Sequence, residues 1–148
     1  MTARPAVGPP AGRPRVGSLH YGSQVHAIRL EPLGASHLRA IATLADDEAV
    51  QRFTRMPVAP SAAELDEWLA RYTEGRREGS RAGFAILQGG GGFLGLAVAP
   101  RIDREAREAE LGYVVVPDAR GRGVATEALR LLTAWAFAEL GARRTPTR

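Results

Sequence analysis

Apolar and polar residues follow one another along the chain in patterns that predict strands and helices in mixed order. The segment VHAIRLEPL, beginning at residue 25, alternates as a first strand would. A short helical stretch is expected from Ser36, because the apolar residues behind it recur at helical spacing. Asp46 and Asp47 favour the start of a second helix, since carboxylates complement the free N–H groups at a helix N-terminus.

The strongest local helix signal lies in SAAELDEWLARYTEG. Ser61 and Glu64 have the S-x-x-E spacing of a capping box. An apolar stripe at positions i, i+3, i+4 and i+7 follows, formed by Leu65, Trp68, Leu69 and Tyr72. On such a stripe Trp68 is predicted to be a core residue, in preference to a ligand-stacking one. Gly75 and Gly79 are expected to end the helix.

Two apolar segments, AGFAILQ and FLGLAVAPRID, flank a glycine run at residues 89–92 and predict a β-hairpin. The glycine run leads into a strand, so it lacks the helix N-terminus that a phosphate loop needs. A further strand, AELGYVVV, ends at Val116. The loop PDARGRG then precedes a long apolar helix from Val124 to Leu140. This order of elements predicts a mixed α and β (α+β) domain.

Composition narrows the class of protein. The 148 residues fit one domain, and no apolar run approaches the roughly 20 residues of a membrane helix, so a soluble protein without a membrane partner is expected. The chain contains no cysteine, which excludes disulfides and thiolate chemistry. Its three histidines, His20, His26 and His37, are too scattered to indicate a metal site. No metal is therefore expected.

Residues 1–24 are rich in Pro, Gly and Arg and lack apolar periodicity, so they are predicted to form a disordered tail. They contain no apolar stretch of signal-peptide length, and the expected location is cytoplasmic. All 20 basic residues are arginine, which is consistent with a GC-rich coding bias. The net charge of +4 favours anionic ligands such as nucleotides or nucleic acid, without distinguishing between them.

The strand, loop and helix at residues 109–140 carry the chemical signal. A Walker A loop is excluded because it requires a lysine and the chain has none. A dinucleotide fingerprint fits at Gly121 and Gly123 but fails at its third glycine, where Thr126 stands. That fingerprint also needs an acidic residue about 20 positions later, and the sequence ends too soon for a complete unit.

At this loop the sequence resembles the GNAT N-acetyltransferase superfamily. The signature is Gln or Arg, two residues, Gly, one residue, then Gly or Ala, and Arg120, Gly123 and Ala125 occupy those places. The wider stretch ELGYVVVPDARGRGVATEAL is similar to the ribosomal-protein N-terminal acetyltransferase subgroup. The order of the upstream segments agrees, so the resemblance covers roughly residues 26–143.

The resemblance implies an antiparallel-dominated mixed sheet with helices on both faces, and acetyl-CoA as cosubstrate. Glycines and successive N–H groups before a helix are suited to the diphosphate. Strand backbone would pair with the pantetheine arm, and backbone N–H near its end could polarise the thioester carbonyl. The two arginines of the loop would add charge at the diphosphate or the ribose phosphate. The implied cofactor-binding residues are Val114, Val115, Val116, Arg120, Gly121, Arg122, Gly123, Val124, Ala125 and Thr126.

The implied reaction is direct attack of an amine on the acetyl thioester. The amine must lose a proton, and Glu110 is the candidate base because histone-type members of the superfamily carry a base glutamate at the start of this strand. A solvated Glu110, or one paired with Arg107, is the alternative. Tyr113 is expected in the core or in a substrate wall.

The sequence departs from the family after Leu140, where GARRTPTR replaces a further strand, a helix and two more strands. Pro146 would interrupt a buried strand. Residues 25–148 are therefore expected to form a domain that is incomplete at its C-terminus, with an exposed strand edge. This predicts marginal stability for the chain alone, and leaves completion of the sheet by a second chain or a homo-oligomer open.

Two alternatives to an active N-acetyltransferase stay open. The first is a catalytically inactive remnant that binds acyl-CoA, suggested by the missing C-terminal strands. The second is an arginine-rich nucleic-acid-binding module. Against the second, the arginines are spread along the chain and are not interleaved with aromatic residues.

Overall fold

The computed structural model describes residues 16–21 and 24–141, with side chains from residue 27 onwards. Within these residues the strands are β1 (Val16–Tyr21), β2 (Gln24–Pro32), β3 (Ala82–Gln88), β4 (Phe93–Asp103) and β5 (Glu108–Val115). The α-helices are α1 (Leu38–Ala42), α2 (Glu48–Thr54), α3 (Ala62–Glu78) and α4 (Val124–Leu140). The strands form one sheet in the order β1-β2-β3-β4-β5, and every neighbouring pair is antiparallel.

Helices cover both faces of this sheet, as the sequence predicts. On one face α4 packs on β2 to β5 through a core that includes Phe84, Leu111 and Leu132, each fully buried. On the other face α1, α2 and α3 form a second core around Ile41, Trp68 and Leu96. A helical layer on each side explains why β3 is buried along nearly its whole length.

The local helix signals act as the sequence predicts, with one correction. Asp47 is the N-cap of α2, and its Oδ1 accepts a hydrogen bond from the N–H of Ala49 at 2.8 Å. The capping box of Ser61 and Glu64 is formed in both directions at the start of α3. Gly75 does not end α3 but lies buried inside it. The helix instead ends at Gly79, whose φ of +81° is the left-handed conformation of a C-terminal cap.

The prediction of a disordered tail over residues 1–24 does not hold for Val16–Tyr21. These six residues form β1, which pairs with β2 in the register Val16 with Arg29 and Tyr21 with Gln24. Backbone pairing to an existing strand gives this segment a partner that its own apolar content does not reveal. Residues 1–15 of the predicted tail lie outside the described residues.

The hairpin and the strand after it set up the functional region. Residues 89–92 form the turn between β3 and β4, with the N–H of Gln88 bonded to the carbonyl of Gly92 at 2.8 Å. β5 pairs with β4, which places Val115 opposite Gly95. Within the described residues no strand pairs with the other edge of β5. The predicted incompleteness after Leu140 falls on residues 142–148, which lie outside the described residues.

Candidate functional site

A cavity of about 500 Å³ opens where β5 ends and α4 begins. It joins the strand edge, the connecting loop and the first turn of the helix, which are the three parts that the sequence predicts to act together. The predicted residues at this cavity are Val114, Val115, Arg120, Gly121, Gly123, Val124, Ala125 and Thr126. Val116 and Arg122, also predicted, do not line it. Four further lining residues are Asp47, Ala49, Tyr113 and Ala119.

The loop between β5 and α4 depends on two glycines in the left-handed conformation. After a short 3-10 turn at Pro117–Ala119, Gly121 has φ +77° and Gly123 has φ +80°. No atom lies within 4 Å of a β-carbon built on Gly121, so the backbone conformation, and not lack of space, requires glycine there. Gly123 is the N-cap of α4 and supplies no side-chain cap.

The uncapped N-terminus of α4 presents free hydrogen-bond donors to the cavity. The N–H of Glu127 is the first to bond back to the loop, donating to the carbonyl of Gly123 at 3.1 Å. The N–H groups of Val124, Ala125 and Thr126 precede it and have no intrahelical acceptor. Together with the dipole of a 17-residue helix, they form an environment suited to a phosphate group.

The edge of β5 that pairs with no described strand offers a second set of backbone groups. The N–H of Val116 donates to the carbonyl of Leu94 at 2.8 Å, so it points towards β4. It is therefore not free to polarise a thioester carbonyl, so that role would fall to another N–H near the end of β5. Because backbone groups alternate in direction along an antiparallel strand, those of Tyr113 and Val115 face the open edge. Since the carbonyl of Val115 accepts a hydrogen bond from Arg120, the groups available to an extended ligand are the N–H of Val115 and both backbone groups of Tyr113.

The two arginines of the loop differ in their surroundings. The Nε of Arg120 donates to the carbonyl of Val115 at 2.9 Å, and its Nη2 lies 2.9 Å from Oδ2 of Asp47. Arg120 is thus held by the end of β5 and by Asp47, the N-cap of α2. Arg122 is exposed and makes no hydrogen bond or ion pair with any residue that the structure describes. It is the arginine of the two whose charge is unpaired there.

Glu110 lies on β5 five positions before Val115, opposite Arg101 of β4, and does not line the cavity. It makes no ion pair with Arg107. Alternation along the strand places it on the same face as Val114, towards α3. Burial raises the pKa of Tyr72 of α3 to about 12, with Arg81 and Arg71 opposing the rise and Glu110 adding to it.

Sequence reasoning did not assign Asp47, Ala49 and Ala119 to the site, and it left Tyr113 between the core and a substrate wall. Asp47 carried a signal of another kind, since its position before α2 indicates a helix cap. Asp47 also lines the cavity and contacts Arg120, because α2 packs across β5. This packing brings Asp47 to a residue 73 positions later in the chain. Only the tertiary structure reveals that contact.

The described residues show neither a metal centre nor a membrane span. Within residues 27–141 no cluster of three or more His, Asp or Glu side chains is arranged to hold a metal ion. None of the described helices is both long and apolar enough to cross a membrane.

Several solved structures with the same fold are N-acetyltransferases. Spermidine N-acetyltransferase from Vibrio cholerae, in complex with CoA and spermine, matches 81% of this chain and 69% of its own at 18% identity and a TM-score of 0.65. RimL, a ribosomal L7/L12 alpha-N-protein acetyltransferase in complex with coenzyme A, matches 80% of this chain and 66% of its own at 15% identity and a TM-score of 0.60. Mycobacterium smegmatis RimJ in complex with CoA-disulfide matches 89% of this chain and 66% of its own at 24% identity and a TM-score of 0.70.

The chain thus spans about two thirds of the length of these structures. At identities below 25%, the likeness establishes the fold, and it confirms the predicted fold class. No curated protein sequence matches the chain significantly. The model of the acetyltransferase (GNAT) domain family matches residues 27–147, which is most of the sequence. The chain therefore belongs to the GNAT acetyltransferase family, as the loop after β5 predicts.

Proposed function

We propose that this protein is an acetyl-CoA-dependent N-acetyltransferase that acetylates an amine. The observation that carries the proposal is the meeting of two sets of unpaired backbone groups at one cavity. The free N–H groups at the start of α4 and the open edge of β5 lie beside each other, and membership of the family supports the same reaction.

The residues of the cavity fit the parts of coenzyme A. The backbone of Gly121 to Thr126 would hold the diphosphate, because the left-handed glycines leave it uncovered and the helix dipole favours an anion. The backbone of Tyr113 and the N–H of Val115 on the open edge would pair with the pantetheine amides as an added strand does. Arg122, exposed and unpaired among the described residues, would meet a phosphate at the surface.

Acetyl-CoA supplies the thioester whose acetyl carbon an amine attacks, so that a C–N bond forms and the C–S bond breaks. The amine must be neutral to attack, and Glu110 would accept its proton directly or through a water. The position of Glu110 suits this, because β5 runs from Glu110 towards the loop that would hold the diphosphate. A pantetheine arm lying along the strand edge from that loop would bring the thioester towards Glu110.

The amine acceptor is proposed only as a chemical class, either a protein N-terminus or a small-molecule amine. The similar solved structures include enzymes described as acting on spermidine and on ribosomal protein N-termini, and the loop resembles the second group. We favour a protein N-terminus over a small-molecule amine on that resemblance. Assembly of the open edge of β5 with a second chain stays a prediction.

Calorimetry with acetyl-CoA, followed by acetylation assays on a peptide and polyamine panel, tests the proposal. We expect binding, and we expect Glu110→Gln to lower turnover by about 100-fold with an unchanged affinity for acetyl-CoA. Glu108→Gln is the matched control, because Glu108 is exposed two positions earlier on the same strand. Its turnover should equal that of the wild type.

Three results would contradict parts of the proposal. Absence of binding at millimolar acetyl-CoA would refute it for this chain. Binding without transfer to any amine would favour the inactive remnant instead. Equal turnover of Glu110→Gln and Glu108→Gln would remove Glu110 from the mechanism while leaving the enzyme assignment in place.

A further inference from the structure

We propose that Asp47 and Arg120 form a latch that holds the phosphate loop in its binding shape, and that Arg120 acts by positioning the loop, without contacting the diphosphate. This inference rests on the proposed function, because it concerns the same cavity. It assigns a second role to Asp47, which the sequence marks only as a residue that starts a helix.

The latch joins three separate parts of the molecule. The guanidinium of Arg120 bonds the carbonyl of Val115 at the end of β5 through Nε and the carboxylate of Asp47 through Nη2, both at 2.9 Å. The other carboxylate oxygen of Asp47 caps α2 through the N–H of Ala49 at 2.8 Å. Each carboxylate oxygen thus has a partner, so the side chain of Asp47 is fixed in direction. The loop is in this way tied to both α2 and β5.

The hydrogen bond from Arg120 to Val115 also changes which backbone groups of β5 a ligand can use. The carbonyl of Val115 faces the open edge, where an extended ligand would otherwise use it as an acceptor. With Arg120 on that carbonyl, the groups left for the pantetheine arm are the N–H of Val115 and the backbone of Tyr113. The latch therefore selects the register in which the arm can lie.

The charge of Asp47 distinguishes two roles for Arg120, as a latch that positions the loop or as a direct ligand of the diphosphate. Asp47 lines the cavity, and an unpaired carboxylate there would repel the diphosphate. If Arg120 were a diphosphate ligand, Asp47 would compete for it, and removal of the carboxylate charge would tighten binding. If Arg120 is a latch, removal of that charge frees the loop and weakens binding. The two roles predict changes of opposite sign for one substitution.

Asp47→Asn is the decisive variant, because asparagine is an equally good N-cap and α2 should remain intact. We expect the affinity for CoA to fall by about two- to fivefold, as suits a partly exposed ion pair, and the KM for acetyl-CoA to rise equally with kcat unchanged. Asp118→Asn is the matched control, since Asp118 is exposed on the same loop and has no partner among the described residues. It should bind CoA as well as the wild type or slightly better.

Arg120→Gln completes a double-mutant cycle. It should weaken CoA binding by about tenfold, because it removes the ion pair and the charge-assisted bond to Val115, and adding Asp47→Asn should weaken binding no further. Tighter binding by Asp47→Asn, or additive losses in the double variant, would overturn the latch. If the wild type binds no CoA, the proposed function fails. The cycle then still tests the latch through thermal unfolding without ligand, where independent effects of the two substitutions would refute it.

Discussion

The indole N–H of Trp68 donates a hydrogen bond to the carbonyl oxygen of Thr54 at 2.9 Å, which joins α3 to the last residue of α2. Trp68 is fully buried, as the apolar stripe predicts. Trp68→Phe keeps an aromatic ring but leaves the Thr54 carbonyl without this donor. We expect the free energy of unfolding to fall by about 1–3 kcal/mol, the cost of an unsatisfied buried acceptor, as measured by urea titration.

Trp135→Phe is the matched control for that hydrogen bond. The indole nitrogen of Trp135 is buried and has no hydrogen-bond partner in the part of the chain that the structure describes, while its ring packs edge-on against Phe84. Removing an N–H that makes no bond should cost less than removing the one that does. Equal losses in the two variants would show that ring size, and not the bond to Thr54, accounts for the effect.

The close approach of β4 and β5 depends on Gly95. A β-carbon at this position would lie 2.0 Å from the carbonyl oxygen of Val114, which is backbone and cannot move aside alone. Gly95→Ala should therefore separate the two strands, lower the free energy of unfolding by about 1–3 kcal/mol and weaken CoA binding by displacing Val115. Thermal unfolding and calorimetry measure the two effects.

Gly90→Ala is the control for Gly95→Ala. Gly90 lies in the turn between β3 and β4, and no atom lies within 4 Å of a β-carbon built there. This variant should keep both stability and CoA affinity. A Gly95→Ala protein that unfolds and binds like Gly90→Ala would show that β5 does not need the close approach.

The left-handed glycine of the phosphate loop can be tested against a second left-handed glycine elsewhere. Gly121 has φ +77° and Gly141 has φ +61°, and at neither position would an added β-carbon have an atom within 4 Å. Gly121→Ala and Gly141→Ala should each cost about 1–2 kcal/mol of stability through the left-handed backbone alone. Only Gly121→Ala should also weaken CoA binding, because Gly141 lies at the opposite end of α4. Parallel losses of affinity would mean that the effect is global.

Elements that depend on residues close together in the sequence could be predicted from it. The capping box of Ser61 and Glu64 and the long apolar segment from Val124 to Leu140 each predict a helix that the structure confirms. The loop motif at Arg120 to Ala125 predicted the family correctly, because its glycines and its place between a strand and a helix belong to one short segment.

Features that arise from packing could not be predicted in this way. Gly75 appears as a helix breaker by residue type, but it lies inside α3, where the side chain of Arg81 covers it. β1 depends on a neighbouring strand and not on its own composition. The contact between Asp47 and Arg120 joins positions 73 residues apart, and no pattern along the chain relates them.

Tyr72 provides a prediction of pH dependence. Burial raises its pKa from 10.0 to about 12, because the phenolate would lose its hydration in the core between α3 and the sheet. Between pH 10 and about 12 the unfolded chain ionises this residue and the folded chain does not, so the free energy of unfolding should fall as pH rises through that range. Below pH 10 Tyr72 is neutral in both states and contributes no slope.

The composition of the chain simplifies the measurement of stability at alkaline pH. The chain has no lysine and no cysteine, whose side chains would otherwise ionise close to this range. Tyr72→Phe should flatten the alkaline fall in stability, and the 295 nm absorbance of the wild type minus that of the variant should report the ionisation of Tyr72 alone. Removing the neighbouring positive charge with Arg81→Gln should shift that ionisation to still higher pH, because Arg81 lies over the Tyr72 ring at 5.5 Å and opposes the rise. A Tyr72→Phe protein with the same alkaline slope as the wild type would contradict the assignment, since the buried hydroxyl is then not the group that resists ionisation.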